Sequence, residues 1–157
     1  MISENTKSKG DIEMTIKHVD GQEQTTCFTN AVLHSGREAL AAALANNVGD
    51  GFDFYVNRML FGDGGTSEGV PRFVDSNRDG LYGVTRASKN VIASIDPAIP
   101  SQVIFTSVLG FDEANGFTIN EMALKMANGH LYSMATFPDQ NKTSSIQITW
   151  TWRISFV

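Results

Sequence analysis

The sequence predicts a mainly β domain, an antiparallel β-sandwich or barrel-like body carrying one short amphipathic α-helix. Three observations point there. The closing stretch SIQITWTWRISFV alternates without a break, Ile146, Ile148, Trp150, Trp152, Ile154 and Phe156 against Gln147, Thr149, Thr151, Arg153 and Ser155, which is the two-residue period of a strand with one buried face. Glycine is frequent, 14 in 157 residues, and aromatic residues make up 10%, a balance that suits turns and pleated surfaces better than helices. Asp20-Gly21, Asn115-Gly116 and Asn128-Gly129 punctuate the apolar runs, and such dipeptides are hairpin signals.

Taken in order, the first ten residues, MISENTKSKG, are polar and aperiodic. They read as a flexible N-terminal arm, which leaves residues 11–157 as a single β-rich domain. Ile12, Met14 and Ile16 then alternate with Glu13, Thr15 and Lys17. A tight turn at Asp20-Gly21 returns the chain through Thr25 to Phe28, and counting outward sets Met14 opposite Cys27 and Ile16 opposite Thr25. In that register Cys27 is a core thiol.

A helix over about 36–47 follows. Ser35 and Glu38 have capping-box spacing, REALAAALANN places Leu40, Ala43 and Leu44 on one stripe, and Asn46, Asn47 and Gly49 end it. FDFYVNRMLFGDGG is apolar in both registers and reads as a strand buried on much of both faces, stopping at Gly62. The stretch from there to Gly83 is rich in Gly, Asp and Ser and carries Pro71. At about 62–83 it is longer than connections usual in compact domains and reads as an interaction loop.

Val91, Ala93 and Ile95 alternate before Pro97 and Pro100 interrupt, and SQVIFTSVLGF is a strand with Val103, Phe105 and Leu109 on one side. TINEMALKMANGHLYSMATF is full of good helix formers, but Asn128-Gly129 argues for a hairpin that pairs Met126 with Leu131 and Met122 with Ala135. The terminal strand, at about 3.3 Å per residue, runs roughly 35–40 Å. Its apolar face needs a cover, whether a second sheet, the helix or a neighbouring subunit.

Composition narrows the function. A net charge of −5 with scattered Lys and Arg argues against a nucleic-acid partner. One cysteine excludes an intramolecular disulfide and a multi-cysteine zinc site, and no window is apolar over a bilayer's thickness, so no membrane partner is expected. His18, His34 and His130 have no nucleophile or acid placed beside them in sequence, so no catalytic residue is assigned and no enzyme is expected. GDGG at 62–65 lacks the lysine and following helix of a phosphate loop. No cofactor is expected. DSNRDG, residues 75–80, opens like an EF-hand loop, but the twelfth position is Arg86 where a bidentate Glu is needed. Asp75, Asn77 and Asp79 therefore remain a calcium candidate only outside the EF-hand frame, against the plainer reading of a surface turn. Trp150 and Trp152 could stack on sugars if bare, but their strand positions place them in a core.

Motif order adds a family resemblance. SGREALAAALAN, RMLFGDGGT, VIFTSVLGFDEANGFTINEMAL, NGHLYSMATFP and NKTSSIQITWTWRISF succeed one another over about residues 30–157. This run resembles small virion proteins of tailed bacteriophages, of the tail, collar, fibre-base and baseplate type, most specifically in ANGFTINEMAL and QITWTWRISF. The resemblance implies a non-enzymatic structural subunit in the tail, neck or collar, or fibre-attachment or baseplate region. Such a subunit is made in the host bacterial cytoplasm and built into the virion, where it assembles with itself, as a trimer or ring, and with other virion proteins. Phe73 and Tyr82, the aromatic residues of the 62–83 loop, are the expected interface anchors. A capsid decoration (cement) protein is the near alternative. A calcium-dependent or carbohydrate-binding β-sandwich module is the alternative from another class.

Overall fold

The computed structural model describes residues 8–45 and 54–156. In chain order its elements are β1 (Ser8–His18), β2 (Glu23–Thr29), β3 (Ala31–Val32), α1 (His34–Leu44), β4 (Val56–Gly62), β5 (Thr66–Ser67), β6 (Val70–Pro71), β7 (Thr85–Asn90), β8 (Ile92–Ser94), β9 (Gln102–Leu109), β10 (Thr118–Met126), β11 (Leu131–Asn141) and β12 (Ile146–Phe156). Two five-stranded antiparallel sheets face each other, one ordered β2-β1-β12-β9-β8 and the other β3-β11-β10-β4-β7, with β5 and β6 forming a small separate hairpin. This is the predicted β-sandwich. Residues 8–10, expected in the arm, already pair with the end of β12.

β12 lies at the centre of the first sheet because its alternation allows it. Ile146, Ile148, Trp150, Trp152 and Ile154 are buried, and the residues between them look outward. From β1, Ile12 and Met14 register against Trp152 and Trp150. Across the sandwich, Met59, Phe61, Met122, Leu124, Met126, Ala135 and Phe137 complete one core. Trp150 sits between Phe61 and Phe137, each ring centroid 5.1 Å away, a separation at which tilted aromatic pairs attract beyond the area they bury.

Two hairpin registers differ from expectation for one reason. Gly21 takes φ +91° and its N–H closes a turn on the His18 carbonyl, while His18 N–H bonds Gln22 O. The connection therefore contains three residues, a turn followed by a left-handed glycine. Met14 then faces Thr26, Ile16 faces Gln24 and Glu13 faces Cys27. Cys27 is exposed as a result, not a core thiol, because a one-residue slip moves a side chain to the other face. The Asn128-Gly129 turn behaves alike, with Met126 N–H on His130 O. A register shift after Leu124 restores Met122 opposite Ala135, but Leu131 faces Lys125 instead of Met126.

The helix also departs from its expected frame. α1 starts at His34, with buried Leu33 as N-cap and no side-chain cap. Ser35 Oγ is used elsewhere, donating to the Leu131 carbonyl, so no capping box forms. The buried face is Gly36 and Ala39, whereas Leu40 and Leu44 are exposed. The helix backbone lies close on β11: a methyl group at Gly36 would overlap the Tyr132 carbonyl. A small-residue face is what that approach requires. Asn46, Asn47 and Gly49 lie outside the described residues.

Candidate functional site, a loop held by a buried carboxylate

The second sheet is apolar on both faces. On its outer side Ala123, Leu131 and Met134 of the sheet and the helix cap Leu33 are buried together, packed with Leu60 of β4 and with Val74, Leu81 and Tyr82. The last three belong to the 62–83 loop, which thus folds back as a second layer. Its tip is tied to the helix start by the bond from His34 N–H to Ser76 O, 2.9 Å.

The loop's two ends meet on β10. Glu121 is fully buried. Its Oε1 accepts the N–H of Gly64 at 2.9 Å and of Gly83 at 2.8 Å, and its Oε2 accepts the N–H of Tyr82 at 2.7 Å. Charge-assisted bonds of this kind are among the stronger ones a protein makes. Asn120, also buried, accepts the N–H of Gly65 at 2.7 Å and donates to Thr66 Oγ1 at 3.0 Å and Asp139 Oδ1 at 2.9 Å. Consecutive strand residues normally point to opposite faces. Here the β10–β11 register slips between Ile119 and Glu121, and such a bulge re-aims a side chain.

Glycine is required at the neck. A methyl group at Gly64 would overlap the Gly83 backbone nitrogen, and one at Gly65 would overlap the Asn120 carbonyl. GDGG is a close-packing device here. Beside it, Asp63 accepts Val84 N–H at 2.9 Å and Arg86 Nε at 2.6 Å. Burial pulls the Asp63 carboxyl upward, but the Arg86 bond and the Val84 amide outweigh it and hold the group below its ordinary 3.8. Hydrogen bonds from Asn120 and Thr66 hold Asp139 below its usual range too.

The two expected anchors have different fates. Tyr82 is half-buried, its ring faced by the Arg78 guanidinium at 3.7 Å and by Arg72 at 5.4 Å, and its hydroxyl donates to the Phe73 carbonyl at 2.7 Å. Phe73 is 91% exposed. It borders a groove of about 330 Å³ shared with Phe28, Thr29, Ala31 and Met134. Tyr82 thus stiffens the segment that displays Phe73.

Asp75 is engaged in a local turn, its Oδ1 accepting Asn77 N–H at 2.8 Å. Among the described residues no group of three or more His, Cys, Asp or Glu gathers around a common point. His18, His34 and His130 lie at the end of β1, the start of α1 and a turn, and Trp150 and Trp152 are core residues. An apolar hollow of about 310 Å³ opens between the sheets beside α1, lined by Phe54, Phe105, Tyr132, Ile154 and Phe156.

Sequence reasoning missed Asn120 and Glu121, which stood among helix formers in TINEMAL. A signal existed: two polar residues interrupt a run otherwise apolar from Ile119 to Leu124, in a chain that also carries an unassigned GDGG. Both oxygens of Glu121 and of Asp63, and the Asn120 Oδ1, are occupied by donors of the same chain. The arrangement holds a loop.

No curated protein and no solved structure matches the chain. A family model does, over residues 25–151. The match spans most of the sandwich, including the helix, the loop and the Asn120-Glu121 strand, and the chain belongs to the phage tail-collar fibre protein, N-terminal, family.

Proposed function

We propose that this phage tail protein is a non-enzymatic structural subunit of the neck or collar, or fibre-attachment or baseplate, region. It acts by assembling with copies of itself and with other virion proteins. The supporting observation is the contrast within the loop: its base is fixed by three backbone amides on Glu121, while Phe73 is displayed almost entirely to solvent. A surface ordered before contact loses little conformational entropy on binding, and an exposed aromatic on such a surface is a hot-spot residue in waiting. Phe73 is the anchor in this reading, and Tyr82 its support.

Light scattering after size exclusion is expected to give a discrete multimer of the 17.1 kDa chain, and mass spectrometry of purified virions is expected to find the chain in tail fractions. Phe73→Ala should weaken assembly without lowering the melting temperature. A Phe73→Ala multimer as stable as the parent would remove the loop from the interface, and absence from purified tails would overturn the reading as a whole.

A further inference from the structure

We propose that Lys142 and Asn115 form an intramolecular isopeptide bond, in which the Lys142 side-chain nitrogen displaces ammonia from the Asn115 amide and ties the 110–117 connection to the end of β11. This is a single self-modification of the chain, independent of the assembly reading above.

Lys142 is the one buried cation among the described residues, 1% exposed. Its Nζ donates to Asn115 Oδ1 at 2.8 Å and to the Thr143 carbonyl at 3.0 Å, and none of the ion pairs among the described residues includes it. A buried ammonium with only neutral acceptors is a costly group. Burial pushes it below its ordinary 10.5, against the opposing pull of the Glu113 and Asp112 charges, and so enriches the neutral amine, the form that attacks a carbonyl. Acylation removes the charge altogether.

The amide it meets is held for attack. Asn115 Nδ2 donates to the Phe111 carbonyl at 2.9 Å while Oδ1 accepts from Lys142, so both ends are oriented. With a C=O bond of about 1.23 Å, Nζ lies at most ~4.0 Å from Cγ, and rotation about Cβ–Cγ, a torsion with a broad profile, turns the carbonyl face toward it. The backbone sets the approach independently of the side chains: Lys142 N–H bonds the Phe117 carbonyl at 3.0 Å and Gly116 N–H bonds the Lys142 carbonyl at 2.9 Å. Such fixed positioning replaces an encounter in solution with an intramolecular step. The Gly116 nitrogen, the usual internal attacker of an Asn-Gly amide, is engaged in that pairing, which leaves Lys142 as the nitrogen aimed at Cγ.

The step balances within the pair. Nζ adds to Cγ, the Cγ–Nδ2 bond breaks, and the two protons that the Lys142 ammonium gives up leave on Nδ2, which departs as ammonium ion. No oxidant, reductant or other reactant is consumed, and the chain loses one positive charge. The new bond closes residues 115–142 into a ring that contains the whole β10–β11 hairpin, with Asn120 and Glu121 inside it. The hairpin that holds the loop's base then stays closed when the chain is pulled from its ends.

Intact mass spectrometry of the purified, folded protein reads the bond as a loss of about 17 Da, one ammonia, from the mass of the sequence. Cyclisation at an Asn-Gly peptide sheds the same mass, so digestion separates the two. Trypsin does not cleave after an acylated lysine, and segments 90–125 and 126–153 should leave as one branched peptide. Lys142→Met, of similar length and suited to a buried site, should restore the full mass, and so should Asn115→Ala, at an exposed turn position. A parent of full mass that is cleaved after Lys142 overturns the proposal, as does a mass loss that survives in Lys142→Met. The parent's own digest decides even where a variant fails to fold.

Discussion

The two faces of the second sheet are held by different physics. Toward the sandwich interior, Phe61, Phe137 and the two tryptophans are secured by close packing and burial of apolar area. On the outer face a thin apolar layer of Val74, Leu81 and Tyr82 is pinned by Glu121 and Asn120 through backbone amides. Packing spreads its energy over many weak contacts, whereas the pinned face depends on a few strong ones, each with a named donor and acceptor. The interior should therefore lose stability in proportion to the volume removed, and the outer face according to how many amides are left without a partner.

The largest expected effect is in the interior. Trp150→Ala should cost roughly 3–5 kcal/mol, read as a lower denaturant midpoint with all probes moving together. Next, Glu121→Ala strands the amides of Gly64, Tyr82 and Gly83. Since each unsatisfied buried group costs about 1–3 kcal/mol and an opened loop can meet water, about 2–3 kcal/mol is expected. Amide exchange should locate the loss: those three amides exchange faster relative to β12. If β12 amides lose as much relative protection as the loop, the two faces are one unit and the contrast fails.

Acid sharpens the comparison at a smaller scale. Asp63 and Asp139 titrate lower in the folded chain than when unfolded, so their stabilisation is complete above about the unfolded value near 3.8 and is lost as pH falls through their folded values. Exchange at Val84 should rise in that window before the core opens, and Arg86→Met should move its onset to higher pH. The smallest effect on stability is expected for Phe73→Ala, within about 0.5 kcal/mol of the parent in thermal melts, although assembly should suffer.

Legibility in the sequence followed the range of the interaction. The strand at 146–156 could be read because its pattern is local and strict, and the sandwich follows from covering that face. The β1–β2 hairpin could be recognised but not registered, since two- and three-residue turns share the Asp-Gly signal and a positive φ at the glycine. What separates them is Asp20, which lacks the positive φ of a type I′ turn, and the closing bond from His18 N–H to Gln22 O. The helix could be found, yet its buried face could not, because leucine spacing favoured Leu40 and Leu44 while the approach to Tyr132 selected Gly36. The loop's length and the aromatic residue it displays were legible. The Asn120-Glu121 anchor was not, because its partners are main-chain amides more than thirty residues away, and amides leave no mark in side-chain composition.

The pinched glycine neck has an evolutionary consequence. With Gly64 and Gly83 in mutual contact on one carboxylate, the chain enters and leaves the outer layer at a single point. Between those ends Val74, Leu81 and Tyr82 are committed to the sheet, so the scaffold tolerates change in length only at exposed stretches such as the turn at Glu68-Gly69, much as a tool bit is changed in a fixed chuck.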